Sequence, residues 1–151
     1  MCPSNLFSLF MLAVIALVAV TLRNRVRDIT VQNFSLLGRI LTSTDQQFGW
    51  TQGVMNGFYK GRKVTMVATF INKGETRTIF IQPQVIPQPQ KRFLFNYPRP
   101  TPNTQWKGTR VHYNPPGLAK ESYYKTYTEE EFRGILEELN TAAHKIESNQ
   151  I

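Results

Sequence analysis

Cysteine and histidine, the residues that most often carry protein chemistry, are scarce in this chain. One cysteine, Cys2, excludes an intramolecular disulfide and any zinc site built on several thiolates. No lipobox precedes Cys2, so we interpret it as an incidental thiol and not as a lipid-bearing one. We expect a structural hydrogen-bonding role for His112 and a solvated surface position for His144. The sequence therefore predicts neither a metal site nor a cofactor.

Acidic residues are also scarce outside the C-terminal region. Residues 128–151 have six Glu and two basic residues, whereas residues 23–127 have sixteen Lys or Arg against four acids. The four acids are Asp28, Asp45, Glu75 and Glu121. They fall in predicted loops or beside an apolar stretch, where a general acid–base pair is not expected. No G-x-S-x-G nucleophile motif or phosphate-binding loop is present, so we expect no enzymatic activity.

The basic residues 23–127 predict an anionic partner. A membrane anchor is predicted as well, so lipid headgroups or acidic membrane proteins are the first expectation and nucleic acid the second. Basic and aromatic residues alternate in two stretches, as on surfaces that bind single-stranded nucleic acid, but no RNP1 motif accompanies them. The sequence leaves open whether a small molecule binds as well. The candidate partner contacts are Lys91, Arg92, Arg99, Trp106, Lys107 and Arg110.

Residues 6–22, here called the apolar segment, contain no charged residue. As a helix they would extend about 25 Å, slightly less than a hydrocarbon layer of about 30 Å. A snorkelling Arg23 would supply the difference. We interpret this segment as a transmembrane anchor. Ala13, Ala16 and Ala19 would let another transmembrane helix approach closely, although lipid-facing filler is the interpretation that we favour for them.

The charges around the apolar segment predict its direction. Arg23, Arg25 and Arg27 follow it within five residues, whereas residues 1–5 carry only the terminal amine. The positive-inside bias therefore predicts a cell (inner) membrane protein with residues 1–5 outside and the C-terminal body in the cytoplasm. Arg39 is a further cation that would face lipid headgroups if the helix around it lies along the membrane surface. Packing of that helix on the sheet is the alternative, and it is the commoner arrangement.

A cleaved signal peptide is the alternative interpretation of the apolar segment, and it would release an exported soluble domain. Signal peptides carry positive charge before the apolar run, whereas here the charge follows it. Cleavage near Ala19 would also place Leu17 at the −3 position, which is a poor match. We therefore favour an uncleaved anchor.

Residues 23–50 are predicted as a basic juxtamembrane stretch with a short amphipathic helix over residues 31–41. Asp28 or Thr30 is the expected N-cap, and Asp45 is expected in a polar turn. The apolar residues at helical spacing are Val31, Phe34, Leu37 and Leu41.

Residues 51–127 are predicted as a β-rich domain with Pro-rich connectors. The predicted strands are residues 54–59, 63–71, 76–82, 93–97 and 106–113. Turns are expected at Lys60-Gly61-Arg62 and at residues 72–75. Residues 82–90 contain three prolines and are interpreted as a rigid connector, with a polyproline ligand as the alternative.

Residues 128–149 are predicted as an amphipathic helix that packs on the sheet. Thr128 and Glu131 form a T-x-x-E capping box. The apolar stripe consists of Phe132, Ile135, Leu136, Leu139, Ala143 and Ile146. The predicted fold class is α+β: a single N-terminal transmembrane helix, a small, mainly antiparallel sheet and a C-terminal helix that covers one sheet face.

This plan is similar in layout to accessory subunits of large membrane complexes, although layout does not determine function. The expected function is that of a non-catalytic subunit docking on the cytoplasmic face of such a complex. Two alternatives stay open: a stand-alone tethered domain that binds anionic lipid or a small ligand, and the exported soluble domain.

Overall fold

The computed structural model describes residues 3–70, 77–86, 97–116 and 125–150. Its elements are α1 (Pro3–Ile40), β1 (Thr42–Phe48), β2 (Gln52–Tyr59), β3 (Arg62–Thr69), β4 (Arg77–Ile81), β5 (Thr104–Lys107), β6 (Arg110–Tyr113) and α2 (Glu129–Glu147). A long apolar helix is followed by a six-stranded antiparallel sheet and a C-terminal helix, which confirms the α+β prediction. The predicted hairpin loop 72–75, the end of the Pro-rich connector and most of the predicted strand 93–97 lie outside the described residues.

The helix α1 is uninterrupted over 38 residues, which corresponds to about 57 Å of helical rise. The sequence favours such a helix because neither Pro nor Gly occurs between Ser4 and Leu37. The predicted short helix over residues 31–41 is instead the second half of this one. Asp28 and Thr30 therefore lie inside a helix and cap nothing. The Thr30 hydroxyl donates to the carbonyl one turn earlier at 2.9 Å.

The sheet has the strand order β1-β2-β3-β4-β6-β5, with antiparallel neighbours throughout. The prediction of a turn around Asp45 is wrong, because Asp45 lies in β1 opposite Asn56 of β2. The polar residues of β1 lack the alternating apolar pattern that predicts a strand. β1 is an edge strand that is held by backbone pairing and not by burial of its side chains.

Two turns of the sheet require left-handed backbone conformations. Lys60 and Gly61 have φ of 48° and 78°, as in the turns that match the twist of a two-residue hairpin, and the predicted turn there is confirmed. Gly108 has φ of 61° between β5 and β6. The single strand predicted over residues 106–113 is therefore wrong, since this region forms two strands joined by a turn.

The hydrophobic core lies between one face of the sheet and the two helices. Met55, Met66 and Ile79 are opposite one another in adjacent strands and form the middle of the sheet's buried face. The second half of α1 contributes Phe34 and Leu37, both fully buried. The entire predicted stripe of α2 is also buried there, together with Ala142. Folding of α2 onto its own sheet is therefore confirmed.

The N-terminus of α2 has the predicted capping box. The Thr128 hydroxyl accepts from the Glu131 backbone N–H at 3.1 Å, and the Glu131 carboxylate accepts from the Thr128 N–H at 2.8 Å. These bonds satisfy donors that a helix start otherwise leaves unpaired. Asn33 of α1 also holds this region, because its buried amide bonds the Lys125 carbonyl and the Tyr127 N–H.

The second half of α1 runs along β2 and gives the domain two distinguishable ends. At one end, here called the base, Arg23 contacts the turn between β1 and β2 at Trp50. At the other, the far end, Leu41 lies against Gly57, close to the turn between β2 and β3. The base is the end next to the apolar segment.

The close approach of α1 and β2 at Gly57 leads to a stability prediction. A Cβ atom at Gly57 would lie 2.8 Å from the Leu41 Cβ, so Gly57→Ala must push α1 away from the sheet. We expect a loss of about 1–3 kcal/mol in the free energy of unfolding. Gly134→Ala is the matched control: a Cβ there meets nothing within 4 Å on an exposed helix face, and the substitution should add about 0.5–1 kcal/mol. Urea unfolding of the full chain in mild detergent measures both; equal effects would contradict the prediction.

Candidate functional surfaces

The apolar segment makes no contact that removes it from solvent. Residues 5–22 are all exposed, and α1 is long and apolar enough to cross a membrane by length and composition. Ala13, Ala16 and Ala19 belong to this exposed stretch, so the structure leaves them accessible to lipid or to another helix. Their part in helix packing stays a prediction.

The apolar segment is joined to the domain without a linker. Within α1, Val26 is the first buried residue, only four positions after Leu22, and Phe34 and Leu37 then enter the core. A helix without Pro or Gly in this stretch bends only gently. The orientation of the domain is therefore set by the orientation of the apolar segment.

Three arginines follow the apolar segment, and two of them contact aromatic side chains of the β1–β2 hairpin. The Arg23 Nε donates to the Trp50 carbonyl at 3.0 Å, and its guanidinium carbon lies 3.8 Å from the centre of the Trp50 ring. The Arg27 guanidinium carbon lies 5.9 Å from the Phe48 ring centre. Cation–π attraction therefore connects the base of the sheet to the part of α1 that follows the apolar segment.

The four predicted membrane-surface arginines do not lie at one level. Arg25 and Arg27 are exposed next to Arg23. Arg39 is also exposed, but it lies sixteen residues beyond Arg23 in the same helix, which corresponds to roughly 24 Å of axial rise. The structure thus brings three of these arginines together at the base and places Arg39 near the far end.

The outer face of the sheet carries a basic–aromatic patch, defined here as Phe80, Tyr97, Lys107, Arg110 and His112. Lys107 and Arg110 are directly opposite in β5 and β6. The Arg110 guanidinium lies 4.6 Å from the Phe80 ring centre, and the Lys107 ammonium lies 5.5 Å from that of Tyr97. The His112 ring lies 5.2 Å from Phe80. The structure therefore brings two of the predicted partner contacts together.

The other predicted partner contacts are placed differently. The Arg99 guanidinium donates to the carbonyls of Pro102 and Asn114 at 3.2 and 2.9 Å, which holds the chain before β5 against the end of β6. Trp106 is half-buried against the core on the opposite sheet face from the patch, and its Nε1 donates to the Gly108 carbonyl. Lys91 and Arg92 lie outside the described residues.

The carboxylates of α2 that contact the sheet have structural partners. Glu147 accepts from Arg62 and from the Gln84 N–H, while Glu138 accepts from Thr101 and Asn103. Hydrogen bonds from Arg62 are the main reason that the pKa of Glu147 lies below its usual value. These pairings lock α2 to the strands and loops.

Tyr59 makes a further link between the sheet and α2. Its hydroxyl donates to the Glu137 carboxylate at 2.6 Å, next to the Lys60 ammonium. Partial burial, followed by the bond to Glu137, raises the pKa of Tyr59 to about 12. Tyr59 therefore stays protonated at neutral pH and acts as a donor here, not as a base.

The described residues contain no group of three His, Cys, Asp or Glu side chains arranged to hold a metal ion. His144 is exposed on α2, as predicted. Sequence reasoning missed Trp50 and Asn33. A lone Trp in a loop and an Asn within a helical pattern have no local signal, because their roles depend on contacts with distant parts of the chain.

Comparison with known proteins gives no relative. No family model, no curated protein and no solved structure matches the chain.

Proposed function

We propose that this protein is a non-catalytic accessory subunit of a larger membrane protein complex. In this proposal the apolar segment crosses the cell membrane with residues 1–5 outside. The α+β domain lies on the cytoplasmic face and docks on neighbouring subunits. The observation that carries the proposal is the continuity of α1, whose first half is exposed and apolar and whose second half belongs to the domain core.

The continuous helix between anchor and domain favours a domain that docks on a fixed partner over a flexibly tethered domain that searches for a ligand. A domain on a flexible linker samples many positions, which suits a tethered module that must find a ligand. Here Val26 is buried four residues after the apolar segment, so the domain is held at one height and one rotation relative to the anchor. Such a fixed geometry is useful when the partner is itself fixed in the same membrane.

The charges support the proposed direction. Arg23, Arg25 and Arg27 lie together at the base, immediately after the apolar segment, where the positive-inside bias keeps such clusters in the cytoplasm. The position of the charges also favours an anchor over a cleaved signal, because signal peptides carry cations before the apolar run and here the arginines follow it. The basic–aromatic patch is the surface that we propose for contact with acidic regions of neighbouring subunits.

An insertion series tests the docking proposal. Four alanines between Leu22 and Arg23 would keep the helix but move the domain by about 6 Å and rotate it by about 40°. A Gly/Ser insertion at the same point would remove the rigid connection. We expect wild type, purified in mild detergent, to bring membrane subunits with it in fixed stoichiometry, and both insertions to lose them. The matched control is the same Gly/Ser insertion after Gln150, beyond α2, which should retain the partners.

Other results would contradict the proposal. A free monomer in mild detergent would exclude a subunit role, and partners that tolerate both insertions would indicate a flexibly tethered module. A reporter fused after Ile151 that is active only outside the cell would reverse the orientation. A mature N-terminus near Val20 would establish the exported domain.

A further inference from the structure

The turn at the base of the sheet exposes one of the two tryptophan side chains of the protein. Trp50 is 70% exposed, although its neighbour Phe48 packs against the core with its ring 5.4 Å from that of Phe34. An indole ring in water loses the burial that normally stabilises it. The exposure of Trp50 leaves its ring accessible to a further surface.

The turn that carries Trp50 is held in place by backbone bonds. The Gly49 N–H donates to the Gln52 carbonyl at 2.8 Å, and the Phe70 N–H donates to the Thr51 carbonyl at 2.7 Å. On its helix side, Arg23 bonds the Trp50 carbonyl and lies over its ring. Trp50 is thus presented at a defined position at the tip of the hairpin.

That position coincides with the end of the apolar segment. Arg23 directly follows Leu22, the last residue of the apolar segment, and its guanidinium lies against Trp50. Trp50 contacts this guanidinium and therefore lies beside the level at which an inserted segment would leave the hydrocarbon layer. Tryptophan is enriched at that level of membrane proteins because its ring is apolar and its N–H is polar.

The charges near Trp50 also fit a lipid surface. Arg23, Arg25 and Arg27 outnumber the single acid of this stretch, Asp28. A guanidinium group is weakly hydrated and pairs well with phosphate, so these side chains suit the headgroup layer. A protein partner would need a surface at this same height, whereas lipid is present around any inserted anchor.

We infer that the β1–β2 turn is a second membrane contact. In it, the Trp50 ring enters the headgroup layer on the side of the membrane where the domain lies. This inference rests on the proposed insertion of the apolar segment. With α1 alone, the anchor and the domain could together rotate about the anchor axis and tilt in the membrane. A second contact off that axis restricts the tilt and selects which side of the sheet faces the membrane.

Fluorescence quenching by brominated lipid tests the inference on the full chain. The protein is reconstituted into vesicles of phosphatidylcholine and phosphatidylglycerol whose acyl chains are brominated either near the carbonyl or near the chain end. We expect the shallow label to quench wild type at least about twofold more than Trp50→Phe, as for an indole at the interface. Trp106 remains in both proteins as the internal control, and it lies on β5, away from the base.

A tryptophan probe in the apolar segment distinguishes a failure of the Trp50 inference from a failure of the proposed membrane anchor. Phe10→Trp, made in the Trp50→Phe protein, should be quenched by the deep label if the apolar segment is inserted. If this probe is quenched while wild type and Trp50→Phe respond equally, the turn stays in water and the inference is wrong, although the anchor stands. If the Phe10 probe is not quenched, the proposed membrane anchor itself fails.

Discussion

Replacing Phe34 by alanine is expected to lower the free energy of unfolding by about 3–5 kcal/mol. The Phe34 side chain is 0% exposed and belongs to the core, so its removal leaves a cavity between α1 and the sheet. The ring also loses its contact with Phe48 of β1. The same helix contains the apolar segment, so this variant specifically weakens the junction between the anchor and the domain.

Urea unfolding of the full chain in mild detergent measures this effect. The fluorescence of Trp106, which is half-buried against the core, follows the unfolding. Val31→Ala is the matched control on the same helix, since Val31 is 44% exposed, and we expect it to change stability by less than about 1 kcal/mol. A Phe34 variant no less stable than this control would show that α1 is not part of the domain core.

Replacing Arg62 by methionine is expected to lower the free energy of unfolding by about 2–4 kcal/mol. The Arg62 and Glu147 side chains are only 12% and 13% exposed, and Arg62 also donates to the Asn140 side chain at 2.6 Å. The substitution keeps the apolar stem but leaves the Glu147 carboxylate partly buried, with the Gln84 N–H as its one remaining hydrogen-bond donor among the described residues. An uncompensated charge of this kind is costly.

Lys60→Met is the matched control for this ion pair. Lys60 and Glu137 join the same strand–helix boundary, but their side chains are 52% and 51% exposed, so water screens the attraction. We expect a loss of at most about 1 kcal/mol. Similar losses for Lys60→Met and Arg62→Met would show that burial does not distinguish the two pairs.

The same ion pair predicts a dependence of stability on pH. The pKa of Glu147 is lower in the folded chain than in the unfolded one, first because of Arg62. Its contribution is therefore complete above the ordinary carboxyl pKa and is lost as the pH falls through the folded pKa. Glu131 and Glu137 also have lowered pKa values, so the difference between wild type and Glu147→Gln isolates this group. We expect that difference to shrink in acid; a constant difference would contradict the assignment.

Much of the fold could be predicted where local patterns decide it. The capping box at Thr128, the stripe of α2 and the positive-φ turn at Lys60 and Gly61 depend on residues a few positions apart. Periodicity and capping carry such information reliably. The strand β1 and the β5–β6 turn were missed because a polar edge strand and a hairpin of two four-residue strands have weak local signals.

The candidate surfaces were predicted less well than the fold. The basic–aromatic patch joins Phe80 to Lys107 and Arg110, and only the pairing of β4 with β6 brings them together. Arg99 and Trp106 are residue types that often contact partners, yet their polar side-chain atoms donate hydrogen bonds to carbonyls within the chain. Residue type alone does not tell whether a cation or an aromatic ring is used inside the domain or outside it.

By itself, the sequence determined that residues 6–22 form an uncharged apolar segment, that arginines follow it and that an amphipathic helix ends the chain, because composition and periodicity are local properties. Tertiary structure alone decided that anchor and domain share one helix and that Trp50 lies beside the end of the apolar segment. The physical reason is distance along the chain: Arg23 and Trp50 are 27 residues apart, and Asn33 and Lys125 are 92 apart. Contacts of that range form only when the sheet and both helices pack together.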